Sequence, residues 1–375
     1  MNVAFLTASR ADYGKIKPVI LEASKNKINY IIFVTGSHLL DEYGKTINQI
    51  KKDFKSKKII SFRNQKFGDS QQKIFTNTVD ILTKILRNKK FDCFFIHGDR
   101  VETLAAASVL TFSKIKIAHI EGGELSGTVD EMIRHSVSKL SHIHFVSNTA
   151  AKKVLINSGE SKENVFITGS PDIDLLNKSF RPDLNEVKKK YALDFKDYII
   201  SFLHPVTTET KNENKKNAKI YFQALLKLKN LGIVQFAPNN DDHSLVILKC
   251  LNNAFKKKNN VRILQSMRFE YYLTLLENCK FIIGNSSSAI MEAPYFGVPA
   301  INVGNRQINR HSPNEIINVP FKQKNILNAL KRVHKKRIKI NSIFGKGNSS
   351  KKIIQILRSK RFKELAIQKI YSNLR

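Results

Sequence analysis

Four carboxylates gather in one short stretch of a strongly basic chain. HIEGGELSGTVDEMIRH, residues 119–135, sets Glu121, Glu124, Asp130 and Glu131 among three glycines and around Arg134, whereas the whole chain carries a formal net charge of +33. Thr128 and Glu131 have the spacing of a capping box, followed by Val129, Ile133, Val137 and Leu140 on one helical face, so Glu131 has a structural use. Asp130 stands four residues before Arg134, the spacing of an exposed helix ion pair. Glu121 and Glu124 have no such local use. They flank Gly122-Gly123, where backbone can approach a ligand and carboxylate can approach carboxylate. Crowded carboxyls raise one another's pKa, which places a base and an acid in one site, so the stretch reads as proton-transfer machinery.

Other residues fit an anionic substrate. SRADYGK places Arg10 and Lys15 around a helix start, with Arg10 suited to a bidentate phosphate contact or to an ion pair with Asp12. GNSSSAIME, 284–292, reads as a strand, a glycine turn and a helix start. Its free N–H groups and serine hydroxyls would bind phosphate, or Ser286 would simply cap the helix. Glu292, two turns into that helix, would accept from ribose hydroxyls or lie at the surface. His204 precedes Pro205, which fixes a turn, and beside an anion site it becomes a donor to a leaving diphosphate. His97 and Asp99 of HGDR point the same way from a strand end. His142 and His144 share a face without a third clear ligand, so no metal is expected. No GxGxxG occurs, which disfavours a dinucleotide cofactor.

These residues need elements to hold them. VAFLT, YIIFVTG, CFFIHG, KIAHIE, IHFVS and VFITGS are short unalternating apolar runs between helical patterns, the signature of parallel strands covered on both faces. After a polar connector over 172–191 the pattern restarts with YIISFLHP, IVQFAP, VRILQ, FIIGNSS and VPAINVG. A chain of 375 residues repeating this pattern predicts two doubly wound α/β domains. SRADYGK, HGDR, HIEGGE, HPVTTE and GNSSSAIME all fall where strands run into helices, the place where open α/β sheets bind ligands. The last segment spaces Ile353, Ile354, Ile356, Leu357, Leu365 and Ile370 as one apolar helical stripe.

Composition narrows the class. Lysines are scattered through every segment, in runs such as Lys188-Lys189-Lys190 and Lys335-Lys336, without the aromatic interleaving of RNA-binding modules, so a nucleic-acid partner is not expected. A positive surface suits an anionic small substrate better. Cys93, Cys250 and Cys279 lie far apart and read as buried small hydrophobes. No apolar run reaches a membrane span, and Met1 leads straight into a strand pattern, so no membrane association and a cytoplasmic location are expected.

SRADYGKIKP, TGSHLLDEYGKT, HGDRVETLA, HIEGGELSGTVDEMIRHSVSKLSH, GSPDID, LHPVTTE and GNSSSAIMEAPYFGVPAINVGNRQ together resemble the hydrolysing UDP-N-acetylglucosamine 2-epimerases, across nearly the whole chain. The resemblance implies a GT-B fold, two Rossmann-like domains with UDP in the cleft between them. The domains would be 1–172, joined by a terminal helix 348–375, and 185–347. It implies no metal and no cofactor, and a homo-oligomer, dimer or tetramer, is expected. Asp99, Glu121 and Asp130 would be the catalytic carboxylates, His204 would assist the diphosphate with Arg10 and Lys15 on the substrate, and Ser286, Ser287, Glu292 and Arg306 would hold phosphates and ribose. Ala289 departs from the glycine expected after the serines.

The implied reaction eliminates UDP from a UDP-amino sugar, by loss of the C2 proton, and hydrates the resulting glycal to a free 2-epimeric amino sugar for nonulosonic acid synthesis. UDP-N-acetylglucosamine and UDP-N,N'-diacetylbacillosamine both fit, with SRADYGKIKP and GSPDID leaning toward the second. The alternatives are a non-hydrolysing epimerase, a GT-B glycosyltransferase and, from another class, a nucleic-acid binder. Binding to random DNA in a gel shift is expected to collapse between low and physiological salt, and selective binding that survives physiological salt would overturn the enzyme reading.

Overall fold

The apolar runs form parallel strands, each ending where a chemically loaded turn begins. The computed structural model describes residues 1–176, 181–239, 241–256, 258–310, 313–333 and 337–370. Two compact units divide the chain: Met1–Glu124, Asp130–Asn177 and Ile343–Arg375 form one, and Leu125–Val129 with Lys178–Ser342 the other.

In the first unit the strands are β1 (Asn2–Thr7), β2 (Asn29–Val34), β3 (Ile59–Ser61), β4 (Cys93–His97), β5 (Lys116–Ile120), β6 (Ile143–Val146) and β7 (Val165–Ile167). Their order is β3-β2-β1-β4-β5-β6-β7. The chain reverses direction across the sheet between β1 and β4, where Val3 pairs with Cys93. Both sheet faces are covered. One buries Phe5, Phe95 and Phe145 with Ile16, Ile20, Ile353, Ile354 and Leu357, and Phe5 stacks on Phe95 at 4.8 Å. The other buries Phe33, Phe94, Leu82 and Leu110. Each such side chain contributes about 1.5–3 kcal/mol of burial, which fixes the strand ends that carry the polar residues.

The second unit repeats the plan with β8 (Tyr198–Phe202), β9 (Gly232–Phe236), β10 (Val261–Leu264), β11 (Ile282–Gly284), β12 (Ala300–Val303) and β13 (Ile317–Val319), ordered β10-β9-β8-β11-β12-β13. Tyr221, Phe222, Ile247 and Ile301 lie in its core. The edge strands β3 and β13 are three residues long and include a polar residue, Ser61 and Asn318, so no apolar run announces them.

Two expectations are corrected. The single terminal helix is two, Ser349–Arg358 and Lys360–Glu364. Ser359 turns extended between them, and its side chain accepts from the Phe362 N–H as the N-cap of the second. The stripe therefore ends early, and Ile370 is 60% exposed; residues 371–375 lie outside the described residues, as do 177–180 of the connector. The helix expected over the serines of 284–292 is also absent. A three-residue 3-10 turn, Ser287–Ala289, is followed by another, Ala293–Phe296, broken by Pro294 and a left-handed Gly297.

Gly284 shows why β11 ends as it does. Its φ is +138°, and a Cβ there would lie 1.7 Å from the Phe202 carbonyl oxygen of the neighbouring strand. Gly284→Ala is expected to cost about 3 kcal/mol or more in chemical denaturation, since backbone cannot yield as a flexible side chain would.

Candidate active site

Glu121 follows the last residue of β5 and is held in the left-handed region, φ +62°. A non-glycine there carries strain of about 1–2 kcal/mol, and sites that persist under such strain cluster at functional positions. Its backbone N–H donates to the Phe145 carbonyl at 2.9 Å, and its side chain is buried among donors. Lys15 Nζ lies 3.2 Å from Oε1, His97 Nε2 3.1 Å from Oε2, and the Ser170 hydroxyl contacts Oε1. Burial alone would raise the carboxyl, but Lys15 first, then His97 and Ser170, overrule it and hold Glu121 well below the usual carboxylate range. The expectation of a carboxyl raised by its neighbours is thus reversed for Glu121. Glu124 has different partners from Glu121: it accepts from Ser147 and, at 2.9 Å, from Asn148, and Asn148 caps the helix Thr149–Asn157.

Lys15 itself is buried, with contacts to Ser170 Oγ at 3.0 Å and to the Asp172 carboxylate. Asp172 is fully buried. GSPDID carries the family resemblance in the sequence, but no role falls to Ser170 or Asp172 until the fold brings them against Lys15.

Asp99, just after β4, pairs with the Arg134 guanidinium. Arg134 sits on the helix Val129–Leu140 and is 2% exposed, so the expected exposed pair with Asp130 is corrected. Arg134 Nη1 also donates to the Glu124 carbonyl at 2.7 Å. Burial disfavours its charge, and Asp99, then Asp130 and Glu124, more than restore it. Arg10 is the first residue of the helix Arg10–Lys25, whose start is closed by a Ser9–Asp12 capping box. Asp12 is therefore committed to the backbone, accepting from the N–H groups of Ala8 and Ser9 at 2.9 Å each.

In the second unit, Asn285 ties two strand exits together. Its Oδ1 accepts from the His204 N–H at 2.8 Å and its Nδ2 donates to the His204 carbonyl at 2.7 Å. Its own carbonyl accepts from Arg306 Nη1 at 3.3 Å and Gln307 Nε2 at 3.0 Å. His204 Nδ1 accepts from the Asn239 N–H at 3.1 Å, which leaves the proton on Nε2. Burial, then Arg306, push the imidazole well below its ordinary value. His204 is thus a neutral N–H donor. Ser286 Oγ accepts from the Ser288 N–H, Ser288 bonds the Tyr272 hydroxyl, and Glu292 is buried nearby, its charge adding to the burial that raises Tyr272. Gly127, counted with this unit, lies so close to Asn305 that a Cβ would come within 2.1 Å of its carbonyl oxygen.

Among the described residues no group of three or more His, Cys, Asp or Glu is placed to hold a metal ion, and no helix is long and apolar enough to cross a membrane. His142 and His144 are each engaged otherwise, His142 with the Ile117 N–H and the Ile367 carbonyl, His144 with Glu160.

The family profile described as UDP-N-acetylglucosamine 2-epimerase matches residues 21–358. The chain belongs to the UDP-N-acetylglucosamine 2-epimerase family. It is 41% identical over 333 residues to a UDP-N-acetylglucosamine 2-epimerase of Neisseria meningitidis serogroup B, covering 88% of this chain and 87% of that one. It is 33% identical to the UDP-N,N'-diacetylbacillosamine 2-epimerase (hydrolyzing) of Legionella pneumophila, covering 96% of each. A Methanocaldococcus jannaschii UDP-GlcNAc 2-epimerase solved with UDP-GlcNAc and UDP is similar in fold, with TM-score 0.82 at 21% identity over 95% of this chain and 99% of that one. The two Rossmann-like units are of the GT-B class found in such structures.

The 2-epimerase fold here buries His38 and His119 as neutral groups, which shapes its acid response. Burial lowers His38 to about 4 and His119 to about 3. A histidine depressed in the folded state takes up its proton only on unfolding, so stability is full above the unfolded value near 6.5 and falls as the pH drops below it. Each of these two is expected to cost up to about 2 kcal/mol between pH 6.5 and pH 5. Denaturation midpoints measured across that range check this, and a flat profile would contradict neutral burial.

Proposed function

We propose that the protein is a hydrolysing UDP-sugar 2-epimerase acting in the cytoplasm, which converts a UDP-amino sugar to UDP and the free 2-epimeric amino sugar for nonulosonic acid synthesis. The observation that carries the reading is the pair of strand-exit carboxylates, Asp99 and Glu121, each in contact with its own buried cation. Names support it too: relatives at 33% and 34% identity, from Legionella pneumophila and Campylobacter jejuni, are hydrolysing 2-epimerases.

In this mechanism Asp130 takes the proton from C2, the C–H electron pair forms the C1=C2 double bond, and UDP leaves with the C1–O electrons. Departure of UDP builds positive charge at C1, which acidifies the C2 proton, so a well-placed carboxylate suffices. Water then adds its oxygen to C1 while C2 receives a proton from the opposite course, with Asp99 and Glu121 handling these transfers. His204 offers its neutral N–H to the departing diphosphate, Arg10 and Arg306 offset its charge, and Ser286, Ser287 and Glu292 meet phosphate and ribose. Lys15 is a counterion of Glu121 in this scheme more than a direct phosphate ligand.

The Neisseria relative at 41% identity is named without the word hydrolysing, which makes the non-hydrolysing epimerase the second reading. One experiment separates the two. In deuterated water, with UDP-N-acetylglucosamine and UDP-N,N'-diacetylbacillosamine supplied in turn, UDP release with deuterium at C2 of a free amino sugar is expected. Deuterium at C2 of a sugar still bonded to UDP would identify the non-hydrolysing reaction. Asp130→Asn is expected to keep UDP binding, read as a thermal shift, while turnover falls about 100- to 10,000-fold.

A further inference from the structure

Behind Glu121 lies a set of buried polar groups in which the reaction scheme leaves Ser170 and Asp172 without a task. The Ser170 hydroxyl touches Glu121 Oε1 on one side and Asp172 Oδ1 on the other. Lys15 touches all three, at 3.2 Å from Glu121 and 3.0 Å from Ser170 Oγ, with the Asp172 carboxylate as its third contact. The loop that carries Ser170 and Asp172 is itself fixed. The Ser170 N–H donates to the Phe344 carbonyl at 2.6 Å, Ser349 Oγ donates to the Ser170 carbonyl at 3.1 Å, and Asp174 takes the Ser349 and Ser350 N–H groups at 2.8 and 2.7 Å.

Counting protons and charges gives this cluster a meaning. A hydroxyl has one proton to donate, yet carboxylate oxygens lie against it on two sides. Two ionised carboxylates would repel across it and leave one acceptor unserved, a costly state for groups this buried. The Lys15 ammonium is shared by both carboxylates, while His97 meets Glu121 alone, so two negative charges flanking the Ser170 hydroxyl would have to divide one ammonium. One proton held between the two carboxylates removes both difficulties.

We propose that Asp172 and Ser170 form a proton relay that acts through Glu121 in the hydration step. The proton is shared along Asp172, Ser170 and Glu121. In the resting cluster Asp172 holds the proton and Glu121 is ionised. Ser170 passes its hydroxyl proton to Glu121 and receives the one from Asp172, so the negative charge moves from Glu121 to Asp172, and Glu121 then gives the proton it has received to C2. Lys15 contacts both carboxylates and so stays paired throughout. The cluster regains its proton from solvent through Glu121 once product has left. His97, at 3.1 Å, holds the other oxygen of Glu121 and keeps the carboxylate in place as the charge moves. The relay rests on the hydrolysing reading for its role, and on the cluster alone for its existence.

The test has two arms. In steady-state kinetics, Asp172→Asn and Ser170→Ala are each expected to lower kcat about 100-fold with KM changed less than about threefold, and Ser170→Thr, which keeps the hydroxyl, is expected to recover most of the rate. Parent-like kcat in both variants, or a Ser170→Thr enzyme as slow as Ser170→Ala, would overturn the relay. The second arm needs no substrate. Infrared difference spectra of the parent against Asp172→Asn are expected to show a protonated carboxyl stretch lost in the variant and shifted by deuterated water. An unchanged carboxyl region would show that no proton is shared there. If the parent releases no UDP from either sugar, the hydrolysing reading falls, and the infrared arm still decides the relay.

Discussion

The buried ion pair between Lys15 and Glu121 governs the first unit's site. Two ions taken from water at this depth are expensive, and mutual attraction offsets the cost only where further hydrogen bonds complete the shell. Here they do: His97 and Ser170 serve Glu121, and Ser170 and Asp172 serve Lys15. The partners come from the first helix, β4, the exit of β5 and the loop after β7. A shift of any of these would strand a buried charge. The pair therefore demands a rigid sheet beneath it, and the stacked Phe5, Phe95 and Phe145 supply one.

The same constraint explains the left-handed Glu121. An extended residue at that point would continue the strand's alternation, its side chain standing roughly perpendicular to the sheet. The kink turns the carboxylate toward the helix Arg10–Lys25, and Gly122 follows where a Cβ would meet His119 Nδ1 and Ser138 Oγ at 2.8 Å. The glycine is thus a packing requirement as much as a means of ligand approach. His119, pinned by Ser138 and the Gly98 carbonyl, links the exit of β5 to the turn that carries Asp99, so the two carboxylates are positioned by one shared contact.

Much of this was legible in the sequence, and the gaps have physical causes. Unalternating apolar runs announced the parallel strands because burial on both faces leaves no polar position, and the loaded turns followed from strand ends. Edge strands β3 and β13 were missed because each is three residues long with a polar residue among them, Ser61 and Asn318, so neither forms an apolar run. Arg134 was misjudged because helical spacing gives a neighbour, Asp130, but not the tertiary partner, Asp99, that draws the guanidinium inside. The serine turn was read as a helix because its N-cap signal is genuine, while Pro294 and Gly297 stop propagation further along. Ser170 and Asp172 were invisible, since their meaning depends on a lysine more than 150 positions away.

The two units handle charge in opposite ways, and the proposed reaction would use the difference. In the first, carboxylates sit beside buried cations, and Glu121 is held ionised. In the second, His204 is kept neutral by burial and by Arg306, so it can donate a hydrogen bond without becoming a fixed cation. A group that moves protons at carbon needs a charge that can be held and then neutralised, which a paired carboxylate provides. A group that steadies a departing diphosphate needs a donor whose protonation does not change with the pH of the medium. Neutral His204 beside the Arg306 guanidinium would meet that need in the proposed reaction. Each group is thus tuned within its own unit, Glu121 by its Lys15, His97 and Ser170 partners and His204 by burial and Arg306.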